Sequence, residues 1–72
     1  MIHLKAQEIL SKFAIGRNEI IASSFADEIG ISRQGLRNIL DLLVKRGYIN
    51  YGREPSYQNG TTKVMTVVER LK

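Results

Sequence analysis

Apolar residues recur every three or four positions in three parts of the chain, and this spacing predicts three amphipathic helices. The first helix is expected over about residues 3–14, with Gly16 as its left-handed cap. The third helix is expected to begin after the N-cap residue Ser32 and to end at Gly47. Its core-facing stripe should consist of Leu36, Ile39, Leu40, Leu43 and Val44.

The second helix has two candidate starts. Ser24 and Asp27 resemble a capping box, whereas Ala22 would serve equally well as the first helical residue. Gly30 is expected to end this helix because glycine readily adopts the left-handed conformation of a C-terminal cap. Its apolar side consists of Phe25, Ala26 and Ile29.

The remaining segments favour β-strands. Glu19–Ile21 predicts a very short strand, and Tyr48–Tyr51 and Thr61–Val68 are rich in aromatic and β-branched residues. The turn-rich segment 52–60 contains the single proline and is expected to be the loop of a hairpin, while residues 69–72 form a polar tail. The hairpin must pack on the helices to be stable in water. Its expected buried side holds Ile49, Val64 or Met65, and Val67 or Val68.

The length of 72 residues is that of one small domain, over residues 1–72. The predicted elements make it an α+β fold with the order helix, strand, helix, helix, strand, strand. The net charge of +4 is consistent with a polyanionic partner. With no cysteine and one histidine, His3, the chain offers no catalytic constellation, and we expect neither an enzyme nor a metal or cofactor site. It shows no secretory leader and no apolar run of membrane-spanning length, so the cytoplasm is the expected location.

Three features occur together in this order: the run Phe25-Ala26-Asp27-Glu28-Ile29-Gly30-Ile31-Ser32, an apolar triplet, and the ending Lys45-Arg46-Gly47-Tyr48-Ile49. The triplet is Leu36, Leu40 and Leu43. This combination resembles the winged helix-turn-helix domains of small regulators of the MarR, ArsR and GntR type, over about residues 4–68. The resemblance implies a helix-turn-helix over about 22–46 and a wing hairpin over about 48–68. Two features depart from the family: Gly35 replaces the usual Thr, Ala or Pro, and the acidic-x-Arg motif of the wing is missing.

The resemblance implies a sequence-specific double-stranded DNA-binding protein, a transcriptional regulator associated with the nucleoid, with the third helix in the major groove and the 52–62 wing at the backbone or minor groove. The residue types suit this role, because Arg can grip guanine at two atoms and Gln or Asn can do so for adenine. Asp41 is expected to accept from cytosine or to anchor Arg37 or Lys45. The expected base contacts are Arg33, Gln34, Arg37 and Asn38, and the expected backbone contacts are Ser32, Lys45, Arg53 and Lys63.

Other interpretations of the same residues stay open. The cations of the third helix could form an ordinary solvated face, and the domain could be an adaptor that binds a protein, or less simply an RNA-binding module. One such domain covers few base pairs, so useful affinity calls for a homodimer or a second protein. A homodimer would use the first helix, the outer strand of the hairpin or the termini. The short chain leaves little room for a small-molecule effector, and none is expected.

Overall fold

The computed structural model describes residues 4–58 and 60–72, and for residues 56–58, 61 and 62 it describes the backbone alone. His3, where the first helix was expected to begin, therefore lies outside the described residues. The predicted α+β fold and its order of elements are confirmed. The elements are α1 (Leu4–Ser11), β1 (Gly16–Ile20), α2 (Ala22–Ile29), α3 (Arg33–Lys45), β2 (Ile49–Gln58) and β3 (Thr61–Arg70).

The first helix is shorter than the apolar pattern predicts. α1 ends at Ser11, and Gly16 is the first residue of β1 rather than the cap of the helix. The side chain of Arg70 satisfies the end of α1, because its Nη1 donates to the backbone oxygens of Leu10 (3.3 Å) and Phe13 (2.8 Å). A strand residue far along the chain thus closes the helix, which local spacing could not indicate.

The start of α2 decides between the two predicted alternatives. Ile21 is its N-cap, with φ −97° and ψ 113° and no side-chain hydrogen bond, so the helix begins at Ala22. The predicted capping box is wrong because Ser24 and Asp27 both lie inside the helix. The predicted short strand also shifts towards the N-terminus, since Ile21 belongs to the helix start and not to β1.

The turn between α2 and α3 has the geometry that its glycine allows. Gly30 has φ 86°, and its N–H donates to the carbonyl of Asp27 at 3.1 Å, while the N–H of Ile31 donates to the carbonyl of Ala26 at 3.0 Å. These two bonds form a Schellman motif, which ends one helix and redirects the chain. Ile31 is partly buried against the core, so the turn is also held by packing.

The three strands form one antiparallel sheet in the order β1-β3-β2. β2 pairs with β3 along its full length, whereas β1 pairs with β3 only from Thr66 to Arg70. The half of the hairpin nearer its turn therefore has no β1 strand beside it. β3 also continues through Glu69 and Arg70, which were expected to belong to a polar tail.

The predicted loop between the last two strands is mostly strand. β2 runs to Gln58, which pairs with Thr61, so the connection is residue 59 and Gly60. Asn59 of the predicted Asn-Gly turn lies outside the described residues, and Gly60 has φ 73°. Pro55 is tolerated in β2 because an edge strand can lack one N–H without breaking an inner ladder.

The hydrophobic core lies between the helices and one face of the sheet. Ile49 and Val68 are fully buried, as expected, but Val64, predicted as an alternative to Met65, is 63% exposed, and neither of the two packs against the core. Val44 was predicted to belong to the core-facing stripe of α3, but it is 38% exposed, and Leu42 packs against the core instead. The buried apolar residues are Ala6, Ile9, Leu10, Phe13, Ala26, Leu36, Leu40, Leu43, Ile49 and Val68.

Candidate nucleic-acid interface

The start of α3 is fixed by a side-chain cap. Ser32 is extended, with φ −73° and ψ 160°, and its Oγ accepts a hydrogen bond from the N–H of Gly35 at 2.9 Å. A Cβ at position 35 would lie 3.1 Å from that oxygen, so the glycine leaves room for the cap. The cap orients the first turn of α3 and its two polar residues, Arg33 and Gln34.

α3 presents one polar face to solvent. Its buried residues Leu36, Leu40 and Leu43 form a stripe against the core, as the sequence predicts. The predicted contact residues of this helix lie outside the stripe and are all exposed, with Arg33 and Arg37 on its flank: Arg33, Gln34, Arg37, Asn38 and Lys45.

Between α3 and the sheet lies a solvent-open groove of about 390 Å³. It is lined by Arg33, Gln34 and Arg37 of α3, by Arg53 of β2, and by Ala22, Leu36, Leu40, Tyr51 and Thr66. The fold thus brings together four of the eight predicted DNA-contact residues, one of them from a strand. Arg33, Arg37 and Arg53 are called the groove arginines below.

The strand register places Arg53 on this side of the sheet. Arg53 pairs with Thr66, and alternation along β2 puts it on the same face as Tyr51 and the buried Ile49. Lys63 pairs with Ser56 and is offset by an odd number of residues from Thr66, so it lies on the opposite face. The structure therefore does not bring Lys63 to the groove, nor do Ser32, Asn38 and Lys45 line it.

A hydrogen bond joins α3 to the hairpin at Tyr51, one of the lining residues. The hydroxyl of Tyr51 donates to Oδ1 of Asp41. Burial raises the pKa of Tyr51, the neighbouring Asp41 carboxylate raises it further, and the positive charge of Arg37 lowers it in part. Asp41 thus accepts from Tyr51 and, in the part of the chain that the structure describes, forms no ion pair with Arg37 or Lys45, which was one of its two expected roles. Sequence reasoning missed this pairing because it joins two elements, and only the register of β2 shows that Tyr51 faces α3.

The groove arginines are not neutralised by acidic side chains. No Asp or Glu lines the groove, and within residues 4–58 and 60–72 none of the three forms an ion pair. Three arginines, each with five guanidinium N–H donors, therefore line one volume. This arrangement favours an anionic ligand with several oxygen acceptors.

The opposite face of the sheet, called the outer face, treats its arginine differently. Arg17 of β1 donates to Glu54 of β2 at 2.6 Å and to Glu19 at 3.2 Å. Both ion pairs are solvent-exposed, and hydrogen bonds to the two carboxylates raise the pKa of Arg17. On the outer face, the positive charge of Arg17 is thus paired with carboxylates of the same chain.

Two predicted contact residues of α3 are bonded to each other. Nε2 of Gln34 donates to Oδ1 of Asn38 at 2.9 Å, one helical turn further on. The two amides therefore do not act as separate groups in the free protein.

Metal ligands do not cluster in the described part of the chain. It holds no group of three or more His, Cys, Asp or Glu residues that could bind a metal ion. No helix among residues 4–58 and 60–72 is long and apolar enough to cross a membrane. The groove volume, however, falls in the lower range of small-ligand pockets, so size alone gives no argument against a small-molecule effector.

No family model matches this chain, and neither a curated protein nor a solved structure does. The resemblance to winged helix-turn-helix regulators therefore rests on the sequence features and on the order of elements.

Proposed function

We propose that the chain is a sequence-specific double-stranded DNA-binding protein of the winged helix-turn-helix type that regulates transcription. The observation that carries the proposal is that the three groove arginines line one groove between an exposed helix and a hairpin, with no Asp or Glu among the lining residues. Unpaired cations on one surface supply the electrostatic part of DNA affinity, because each contact with a phosphate releases a condensed counterion.

α3 has the form that the major groove admits. Its 13 residues span about 20 Å at about 1.5 Å per residue, and the major groove of DNA is roughly 12 Å wide. In this orientation Arg33, Gln34, Arg37 and Asn38 face the base edges. Arg suits guanine, and the two amides suit adenine.

The backbone contacts come from the flanks of this surface. Arg53, which lines the groove of the protein, would contact one phosphate, and Lys45 would contact another at the far end of α3. Ser32 accepts the capping bond through its oxygen, which leaves its own O–H free to donate to a phosphate. Lys63 lies on the outer face, so it would reach DNA only if the hairpin enters a groove edge-on.

One domain of this size touches few base pairs, so the proposal includes a homodimer on a palindromic site or a second protein. The outer edge of β2 and the surfaces of α1 are the candidate contacts for either partner. A DNA-binding protein of this kind would act in the cytoplasm at the nucleoid.

The test is duplex binding as a function of salt, combined with selection from a random duplex pool. The proposal predicts binding at low salt, a steep linear fall of log K with log salt concentration, and enrichment of a defined sequence. A palindrome among the selected sites would indicate a dimer. If no duplex binds at low salt, the proposal is wrong.

A protein-interaction module is the second candidate function. The exposed Val64 pairs across the hairpin with the exposed Pro55, which leaves an apolar spot beyond Arg53. Binding of one purified protein that Val64→Ser abolishes, in a chain with no duplex affinity, would favour this candidate over DNA.

A further inference from the structure

The exposed face of α3 contains two amides that the structure joins into one unit. Gln34 donates through Nε2 to Oδ1 of Asn38 at 2.9 Å. Both side chains are solvent-exposed, and Gln34 lines the groove whereas Asn38 does not. The two residues are therefore unequal in position as well as in bonding.

The remaining hydrogen-bonding capacity also differs between them. A side-chain amide grips adenine by accepting from N6–H and donating to N7. Gln34 donates one of its two N–H groups to Asn38, and its other N–H group and its oxygen remain available for a base. Asn38 has one of the two lone pairs of its oxygen engaged, so it keeps less acceptor capacity than Gln34 for the grip on adenine.

We infer that Asn38 is a positioning residue for Gln34, and that α3 recognises adenine at one position through Gln34 rather than at two positions through both amides. This inference rests on the proposed function. The bond fixes the outer end of a long side chain before DNA arrives, so less conformational entropy is lost on contact. Asn38 therefore sharpens the choice of base without touching one.

The test measures the preference for each base at each position of the selected site, using the full chain and duplexes that differ by one base pair. Gln34→Ala should abolish the preference for adenine at one position, a loss on the order of tenfold in discrimination. Asn38→Ala should weaken the preference at that same position, by a smaller factor, and at no other. The double variant should match Gln34→Ala in its base preference.

Asn38→Asp separates positioning from direct contact. Aspartate can still accept from Nε2 of Gln34, so the adenine preference should survive, while the added negative charge lowers affinity evenly over all sequences. Arg37→Ala is the matched control, because it should relax a different position and so show that the assay resolves neighbouring contacts. Thermal unfolding of each variant establishes that it is folded.

Two results would overturn the inference and leave the proposed function intact. One is loss of preference at separate positions in Asn38→Ala and Gln34→Ala. The other is a loss of adenine preference, or a switch to cytosine, in Asn38→Asp. Absence of duplex binding by the unaltered chain would overturn the proposed function and this inference together.

Discussion

The two faces of the small sheet place the same side chain in opposite settings. On the outer face Arg17 lies between Glu19 and Glu54 and bridges the two edge strands. On the helix side the groove arginines face one volume of about 390 Å³ with no acidic neighbour along its lining. Both settings are solvent-exposed, so burial does not distinguish them.

The two settings differ in whether the guanidinium group is already paired with carboxylates of the same chain. An arginine that is already paired has its donors and its field directed at carboxylates of its own chain, and an external anion must compete with them. The groove arginines form no ion pair within the residues that the structure describes, so an external anion meets no competing carboxylate among the lining residues. The net charge of +4 says little about a partner, whereas the distribution of paired and unpaired cations points to one side of the molecule.

Charge reversal on each face should give the largest contrast. Arg37→Glu is expected to reduce duplex affinity on the order of a hundredfold, because it removes a contact and places a negative charge against phosphates. Arg17→Glu, which changes the net charge equally, should reduce affinity only a few-fold. Fluorescence anisotropy with one selected duplex at fixed salt measures both.

Equal losses from the two reversals would mean that only total charge matters. The distinction between the two faces would then have no functional meaning.

Removing the hydrogen bond between Tyr51 and Asp41, on the groove side of the sheet, should have an effect of intermediate size. Tyr51→Phe removes the hydroxyl that ties the hairpin to α3, and we expect a loss of about 1 kcal/mol in the free energy of unfolding, as for a typical hydrogen bond. Duplex affinity should fall several-fold because Arg53 is then held less firmly beside α3. Urea denaturation and anisotropy test the two parts, and Tyr48→Phe is a control of the same chemistry.

The same pair predicts a dependence on pH. The pKa of Tyr51 is raised in the folded chain, so the folded state keeps its proton at a pH where the unfolded chain, with a pKa of about 10, has lost it. The stabilisation is complete below about pH 10 and is lost as pH rises through the higher folded-state pKa. The advantage of the natural chain over Tyr51→Phe should therefore stay constant below about pH 10 and shrink as the pH rises above it. A constant difference would show that Tyr51 is not coupled to folding in this way.

The smallest expected effect is on the outer face. Arg17→Gln removes both exposed ion pairs and should lower thermal stability slightly, whereas Arg33→Gln should leave it unchanged. Calorimetry under one buffer condition compares them. A larger loss for Arg33→Gln would indicate that the groove arginines have a structural role.

The order of elements followed from the sequence because each element carries its own periodicity and its own ending. The Gly30 turn and the Ser32 cap are local features, and both lie where the sequence placed them. Two of the boundaries that were wrong involve distant residues. Arg70 closes α1 from the far end of the chain, and pairing with β3 keeps β2 extended through a segment whose composition favours a loop.

The polar face of α3 was predictable for the same local reason, since the helical period alone separates it from the leucine stripe. The groove was not predictable, because Arg53 joins Arg33 and Arg37 only through the register of β2 against β3. The same register separates Lys63 from them. Sequence spacing could propose all eight residues but could not say which of them share a surface.

The most direct test of the central claim compares two triple variants, each of which loses three positive charges. One carries Arg33→Gln, Arg37→Gln and Arg53→Gln, and the other carries Lys5→Gln, Lys12→Gln and Arg17→Gln. The slope of log K against log salt concentration should become shallower by about two to three units in the groove variant and stay unchanged in the other. Equal slopes in the two variants, or a slope equal to that of the natural chain in the groove variant, would contradict the account.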